Sequence, residues 1–153
     1  MRVFSKVFVI AFLCLSFAAT VFPQETLWEI LNEKVEKFYQ QGQYEGGVKV
    51  AKEALRIAEE TFGADHANVA ASLNNLAELY RDQGKYVEAE PLYKRALAIT
   101  EKSLGKDHPY VANSTNNLGN LYYSQGKYEE AEPLYNRALA IVEKALGPDH
   151  PDV

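Results

Sequence analysis

The sequence predicts an all-α solenoid of stacked antiparallel helix pairs, about three repeats followed by the start of a fourth. Three observations carry this. Gly63 to Leu104 and Gly105 to Leu146 are two copies of one 42-residue unit, identical at about 29 of 42 positions. Within each copy the apolar residues recur at helical spacing in two stretches, and a glycine-containing turn separates them. Self-similarity at a period of this length marks units that bury their apolar faces only by stacking on the next unit.

Residues 1–22 are set apart from the repeats. Arg2 and Lys6 open the chain, an apolar run starting at Val7 follows, and Ser16, Ala18 and Ala19 supply small residues behind it. A basic start, an apolar stretch of about 13 residues and a small-residue cleavage site describe an export signal. Cleavage is expected after Ala18 or shortly later, which places the mature chain in the periplasm or outside the cell. The run falls short of the ~20 residues a spanning helix needs. Anchoring through an uncleaved segment is the alternative, and membrane association is expected only in that case. Cys14 is the single cysteine and leaves with the signal, so the mature chain has no disulfide, thiolate metal site or cysteine nucleophile. Losing Arg2 and Lys6 moves the formal charge from -5 to -7, because 16 basic residues become 14 against 21 acidic ones. No basic cluster exists, which excludes a nucleic-acid partner on electrostatic grounds.

The 42-residue period reaches back to a degenerate first repeat, residues 26–62. Gly42 stands under Gly84, Tyr44 under Tyr86, Phe38 under Tyr80, and Ala54-Leu55 under Ala96-Leu97. Gly47 replaces the later Ala89 and Ala131. Lys34 replaces Leu76 and Leu118, as suits a terminal unit that faces water on one side. In the second repeat, residues 63–104, Val69, Leu73, Leu76, Leu79 and Tyr80 form one stripe. After Gln83-Gly84-Lys85, Tyr86, Ala89, Leu92, Tyr93, Ala96, Leu97 and Ile99 form another. The third repeat, residues 105–146, copies this with its turn at Gly126 and a last helix from about Tyr128 to Leu146. Between repeats, Gly63, Gly105 and Gly147 suit the positive φ of a helix C-cap. Asp65, Asp107 and Asp149 are expected to cap the helices that follow, with Pro109 and Pro151 in their first turns. Residues 147–153 read as the linker opening a fourth unit. Solenoid ends normally close with a polar-faced capping helix. The last helix has none here, so part of Ala131, Leu134, Tyr135, Ala138, Ile141 and Val142 is expected to face water or a neighbouring molecule.

The pattern Leu76-Ala77-Leu79-Tyr80, Gly84, Tyr86, Ala89, Tyr93, Ala96 resembles the tetratricopeptide repeat. So does its copy Leu118-Gly119-Leu121-Tyr122, Gly126, Tyr128, Ala131, Tyr135, Ala138. The 42-residue length, with its Asp-His linkers, is similar to the kinesin light chain type, and the resemblance spans residues 26–153. It implies a right-handed superhelical stack and a non-catalytic scaffold, without a cofactor. A concave groove lined by the first helix of each repeat would hold an extended or helical peptide of a partner protein. Placed on this chain, the groove positions are Asn32, Glu36 and Tyr39, with Glu29 and Glu33 beside them. The second repeat contributes Asn74, Asn75, Glu78 and Arg81, with Ala71; the third contributes Asn113, Asn116, Asn117, Asn120 and Tyr123.

The residues themselves agree in part. Asparagine is a poor helix-interior residue, yet both later repeats place an Asn-Asn pair in mid-helix. Its amide both donates and accepts, which suits capture of a peptide backbone. The competing reading is that one Asn of each pair bonds a neighbouring helix and only spaces the repeats. The groove grades from acidic at Glu29, Glu33, Glu36 and Glu78 to neutral near Asn120, favouring a ligand with positive charge at one end. A second expectation is that the chain is an assembly module, self-associating or docking on an envelope complex through its uncapped C-terminal end.

Chemistry finds no foothold. His66, His108 and His150 recur in one linker context, but stacked helices pack 8–10 Å apart, whereas metal ligands converge to ~2 Å from one ion. The paired acids Glu88-Glu90 and Glu130-Glu132 read as a solvated helix face. Asn113-Ser114-Thr115 is a glycosylation sequon, and a glycan there would obstruct the groove.

Overall fold

The computed structural model describes residues 24–147, and these form six helices with no strand among them. Helix α1 is described over residues 24–40. It is followed by α2 (Tyr44–Phe62), α3 (Ala67–Asp82), α4 (Tyr86–Leu104), α5 (Pro109–Ser124) and α6 (Tyr128–Leu146). The expected export signal, residues 1–22, and the expected linker beyond Gly147 lie outside the described residues.

The helices pair into three hairpins because each tight turn contains a glycine. Gly42, Gly84 and Gly126 have φ of 67°, 72° and 74°, a left-handed conformation that side-chain-bearing residues adopt only at a cost. The next residue then turns its amide back onto the helix, as Lys85 N does to Tyr80 O at 2.8 Å and Lys127 N to Tyr122 O at 2.9 Å. These bonds satisfy carbonyls that the helix end would leave open.

The linkers depart from expectation at one residue. The N-caps of α3 and α5 are His66 and His108, whose Nδ1 atoms accept from the backbone N–H of Asn68 and Tyr110, each at 3.2 Å. The aspartates do not cap. Asp65 instead pairs with Lys102, and Asp107 with Lys144, 37 residues further on. Pro109 follows His108 in the first turn of α5, but α3 takes the same cap with Ala67 in that place, so the proline is not what selects the histidine. Asp149 lies outside the described residues.

Packing follows the stack. Ala58 of α2 meets Val69, Ala70 and Leu73 of α3 and Ala96 and Ile99 of α4. Ala77, Ala89 and Tyr93 of the second hairpin meet Leu118 and Leu121 of α5. Each cluster thus joins two successive hairpins, as expected of units that bury apolar surface only against a neighbour. Charges repeat the same step along the outer helices. Arg95 reaches back to Glu59 at 2.6 Å, and Arg137 reaches back to Glu101.

The first hairpin is tied in by a residue the repeat does not predict. The Trp28 indole N–H donates to Ser72 Oγ at 2.8 Å, and its ring meets Phe62 edge-on at 5.6 Å. At the other end α6 buries Ala131, Ala138 and Ile141, while Leu139 is 41% exposed. No helix of the described residues is long and apolar enough to cross a membrane.

Candidate functional site

The first helices of the second and third hairpins, α3 and α5, flank an open cleft of about 590 Å³. Helical spacing puts Asn74, Asn75 and Glu78 on one wall, since positions three and four apart share a face. Asn113 and Asn117 stand on the other wall, with Tyr110 at the mouth and Thr100 and Leu104 of α4 behind. Six of the expected groove residues, Ala71 among them, are therefore together here.

The remaining expected residues are placed differently. Asn32 is tied twice: its Nδ2 donates to Trp28 O at 2.8 Å, and its Oδ1 accepts from Asn75 Nδ2 at 2.9 Å. That bond links α1 to α3, so here an Asn pair spans two repeats. Glu36 is exposed and accepts from Gln40 on its own helix. Tyr39 donates its hydroxyl to Asp82 at 2.7 Å. Asp82 also accepts from Arg81 Nε at 2.8 Å, and Arg81 pairs with Glu78 at 3.2 Å. The hydrogen bond to Asp82 first, and partial burial second, push the Tyr39 phenol up to about 12, against the opposing charge of Arg81. Tyr123 is exposed and packs edge-on against Tyr128 at 5.1 Å.

Asn116 and Asn120 do not join the α3–α5 cleft. Asn116 lines a separate cavity of about 480 Å³ between α5 and α6, and Asn113 lines both cavities. Asn120 Oδ1 accepts from the Tyr135 hydroxyl of α6 at 2.8 Å. The four asparagines of α5 spread over about 100° of helix surface, wide enough for the two ends of the row to meet different neighbours.

One polar atom in the cleft is unlike the rest. The step that pairs Asn32 with Asn75 leads, 42 residues on, to Asn74 and Asn117. No hydrogen bond joins that second pair, and Asn74 Oδ1 is buried without a partner. Tyr93 Oη, buried in the core between the second and third hairpins, is likewise unpartnered, and burial pushes its phenol up. No group of His, Cys, Asp or Glu that could hold a metal ion is present among the described residues. The cleft's aromatic edge at Tyr110, stacked on His108 at 5.4 Å, escaped sequence reasoning, because the second repeat has Asn68 at that position.

The tetratricopeptide repeat profile matches residues 30–102, 70–144 and 110–153 in overlapping windows, and the chain belongs to that family. Its fold is similar to that of BtubC (BKLC) from P. vanneervenii, with a TM-score of 0.73, 30% identity and coverage of 79% of this chain and 48% of that one. It is also similar to a Podosopora anserina protein, described as a kinesin light chain, with nearly identical TPR-like repeats. There the TM-score is 0.72, with 29% identity over 81% of this chain and 59% of the other. The chain thus spans about half the length of these two proteins. The TPR domain of Arabidopsis FLU shares the fold alone, at 20% identity and a TM-score of 0.69, covering 80% of this chain and 99% of that one. No curated protein matches the sequence. Members of the family are generally non-catalytic scaffolds that bind other proteins.

Proposed function

We propose that the chain is a non-catalytic scaffold that holds an extended or helical peptide of a partner protein in the cleft between α3 and α5. The observation that supports this reading is the unpartnered Asn74 Oδ1 beside Asn117, where the preceding Asn pair is closed by a bond. A buried acceptor without a partner costs about 1–3 kcal/mol. A peptide amide entering the cleft offsets that cost, because rotation of the Asn74 side chain presents either its oxygen or its nitrogen. Asn113 and Asn117 offer further donors and acceptors on the facing wall, and Glu78, whose side chain is 44% exposed, favours a basic residue of the ligand beside it.

The test is selection of short peptides on the full chain, followed by affinity measurement on Asn74→Ala/Asn117→Ala. Two to four lost hydrogen bonds predict a drop of about tenfold or more. Unchanged affinity for every selected peptide would sink the cleft assignment. Export belongs to the same reading: the protein works outside the cytoplasm, and residues 1–22 direct it there. N-terminal sequencing of the native protein is expected to begin after Ala18 or a few residues later; a retained Met1 points to the anchored form.

A further inference from the structure

The cleft between α3 and α5 has a counterpart one repeat earlier, between α1 and α3, and one side chain separates the two. The 42-residue step sets Trp28 against Ala70, Phe62 against Leu104 and Ser72 against Ser114. It also sets the pair Asn32 and Asn75 against Asn74 and Asn117. In the earlier junction the Trp28 indole N–H donates to Ser72 Oγ at 2.8 Å, and its ring stands edge-on to Phe62 at 5.6 Å. The Trp28 carbonyl accepts from Asn32 Nδ2 at 2.8 Å, which leaves the Asn32 oxygen to accept from Asn75 Nδ2 at 2.9 Å. Indole and asparagine together fill that junction from α1 across to α3. In the later junction alanine stands in place of the indole. Ala70, Leu104 and Ser114 line the open cleft of about 590 Å³ with Asn74 and Asn117, and Asn74 Oδ1 has no partner.

Both junctions lie between hairpins that the described residues contain, so neither is open or filled for want of a neighbouring repeat. The stack itself does not require the indole, because the second and third hairpins pack on each other with Ala70 at that step. A tryptophan side chain covers about 150–250 Å², enough to take the floor of such a cleft from any ligand. The two junctions also differ in charge. Glu33 and Glu36 of α1 stand where α3 has Asn75 and Glu78, so the filled junction has the more acidic wall.

We propose, on the reading of the α3–α5 cleft as a peptide site, that the α1–α3 junction is a second such site held shut from within by Trp28. Residue 28 is then a specificity determinant. Its indole confines the ligand to the α3–α5 cleft and withholds the more acidic of the two positions from basic peptides.

The experiment moves the indole by one repeat in the full chain. Ala70→Trp/Thr100→Ala copies the first junction into the second, the alanine being included because Ala58 stands at that step. Short peptides selected on the unaltered chain are the probe, and this variant is expected to bind them about tenfold or more weakly. Adding Trp28→Ala is expected to open the first junction. Peptides selected on that triple variant should be richer in lysine and arginine, and Asn32→Ala should weaken them by about tenfold. The chain has one tryptophan, so fluorescence of the triple variant reads whether the moved indole is seated. Emission typical of a fully hydrated indole overturns the equivalence of the two junctions. Undiminished binding to Ala70→Trp/Thr100→Ala, or no Asn32-dependent binding to a folded triple variant, overturns the proposal and leaves the α3–α5 site standing. Probe peptides indifferent to Asn74→Ala/Asn117→Ala overturn both. Trp28→Ala can loosen the first hairpin, which amide exchange in α1 and α2 detects. In that event the first variant decides: lost peptide binding with unchanged melting supports the proposal, and retained binding overturns it.

Discussion

At the scale of single residues, the hydrogen bond from Tyr39 to Asp82 gives the protein an alkaline limit. Tyr39 titrates at about 12 rather than its ordinary 10.0 because its proton is held by Asp82. A folded-state pKa raised above the unfolded value contributes stability that is whole below pH 10 and is lost as pH rises toward 12. Tyr39→Phe is therefore expected to flatten the alkaline fall of Tm and to remove one late phenol from the ultraviolet tyrosinate titration. An unchanged alkaline melting profile in the variant contradicts the assignment. The histidine caps show what single residues disclose in advance. Capping preferences rank aspartate highly, which drew attention to Asp65 and Asp107. The proline at the start of α5 marks the register there and was legible, although α3 takes the same cap before Ala67. The aspartates' own partners, Lys102 and Lys144, were not, because a pair 37 residues apart becomes visible only once the hairpins are stacked.

At the scale of elements, the helices and turns were legible because two near-identical copies fix the glycine positions independently. The face each helix residue serves was less so. Asn116 and Asn117 are adjacent in sequence, yet one lines the α5–α6 cavity and the other the α3–α5 cleft; a stripe about 100° wide has two edges, and only packing says which neighbour each edge meets. Gly47 makes the same point about packing. In the first turn of α2, replacing glycine by alanine gains at most about 1 kcal/mol of helix propensity. A methyl group at Gly47, however, would stand 2.9 Å from Leu79 Cδ2, a side chain that is fully buried. Overpacking of this kind costs about 1–3 kcal/mol, which outweighs the gain. Gly47→Ala is therefore expected to lower stability in urea unfolding by about 1 kcal/mol, although alanine is the residue that Ala89 and Ala131 supply at the same position. A more stable variant would show that Leu79 yields without cost.

At the scale of the whole molecule, stability in a stack is a sum of unit and nearest-neighbour contributions, so it should vary along the chain. Helices α3 and α4 form the hairpin with a neighbour on both sides among the described residues. Helix α3 buries seven side chains where α6 buries three. Local opening free energies follow such burial, so amide exchange is expected to be slowest in α3 and α4 and fastest, among α2 to α6, in α6. Leu73, fully buried where α2, α3 and α4 meet, is the residue whose loss should spread. Leu73→Ala removes about 2–5 kcal/mol from the central hairpin, on which both outer hairpins lean, and protection should collapse along the described helices. Leu139→Ala, at an exposed position, should alter exchange only in α6. Uniform protection across the helices, or a Leu73→Ala effect confined to α3, would mean that the hairpins do not stabilise one another in sequence.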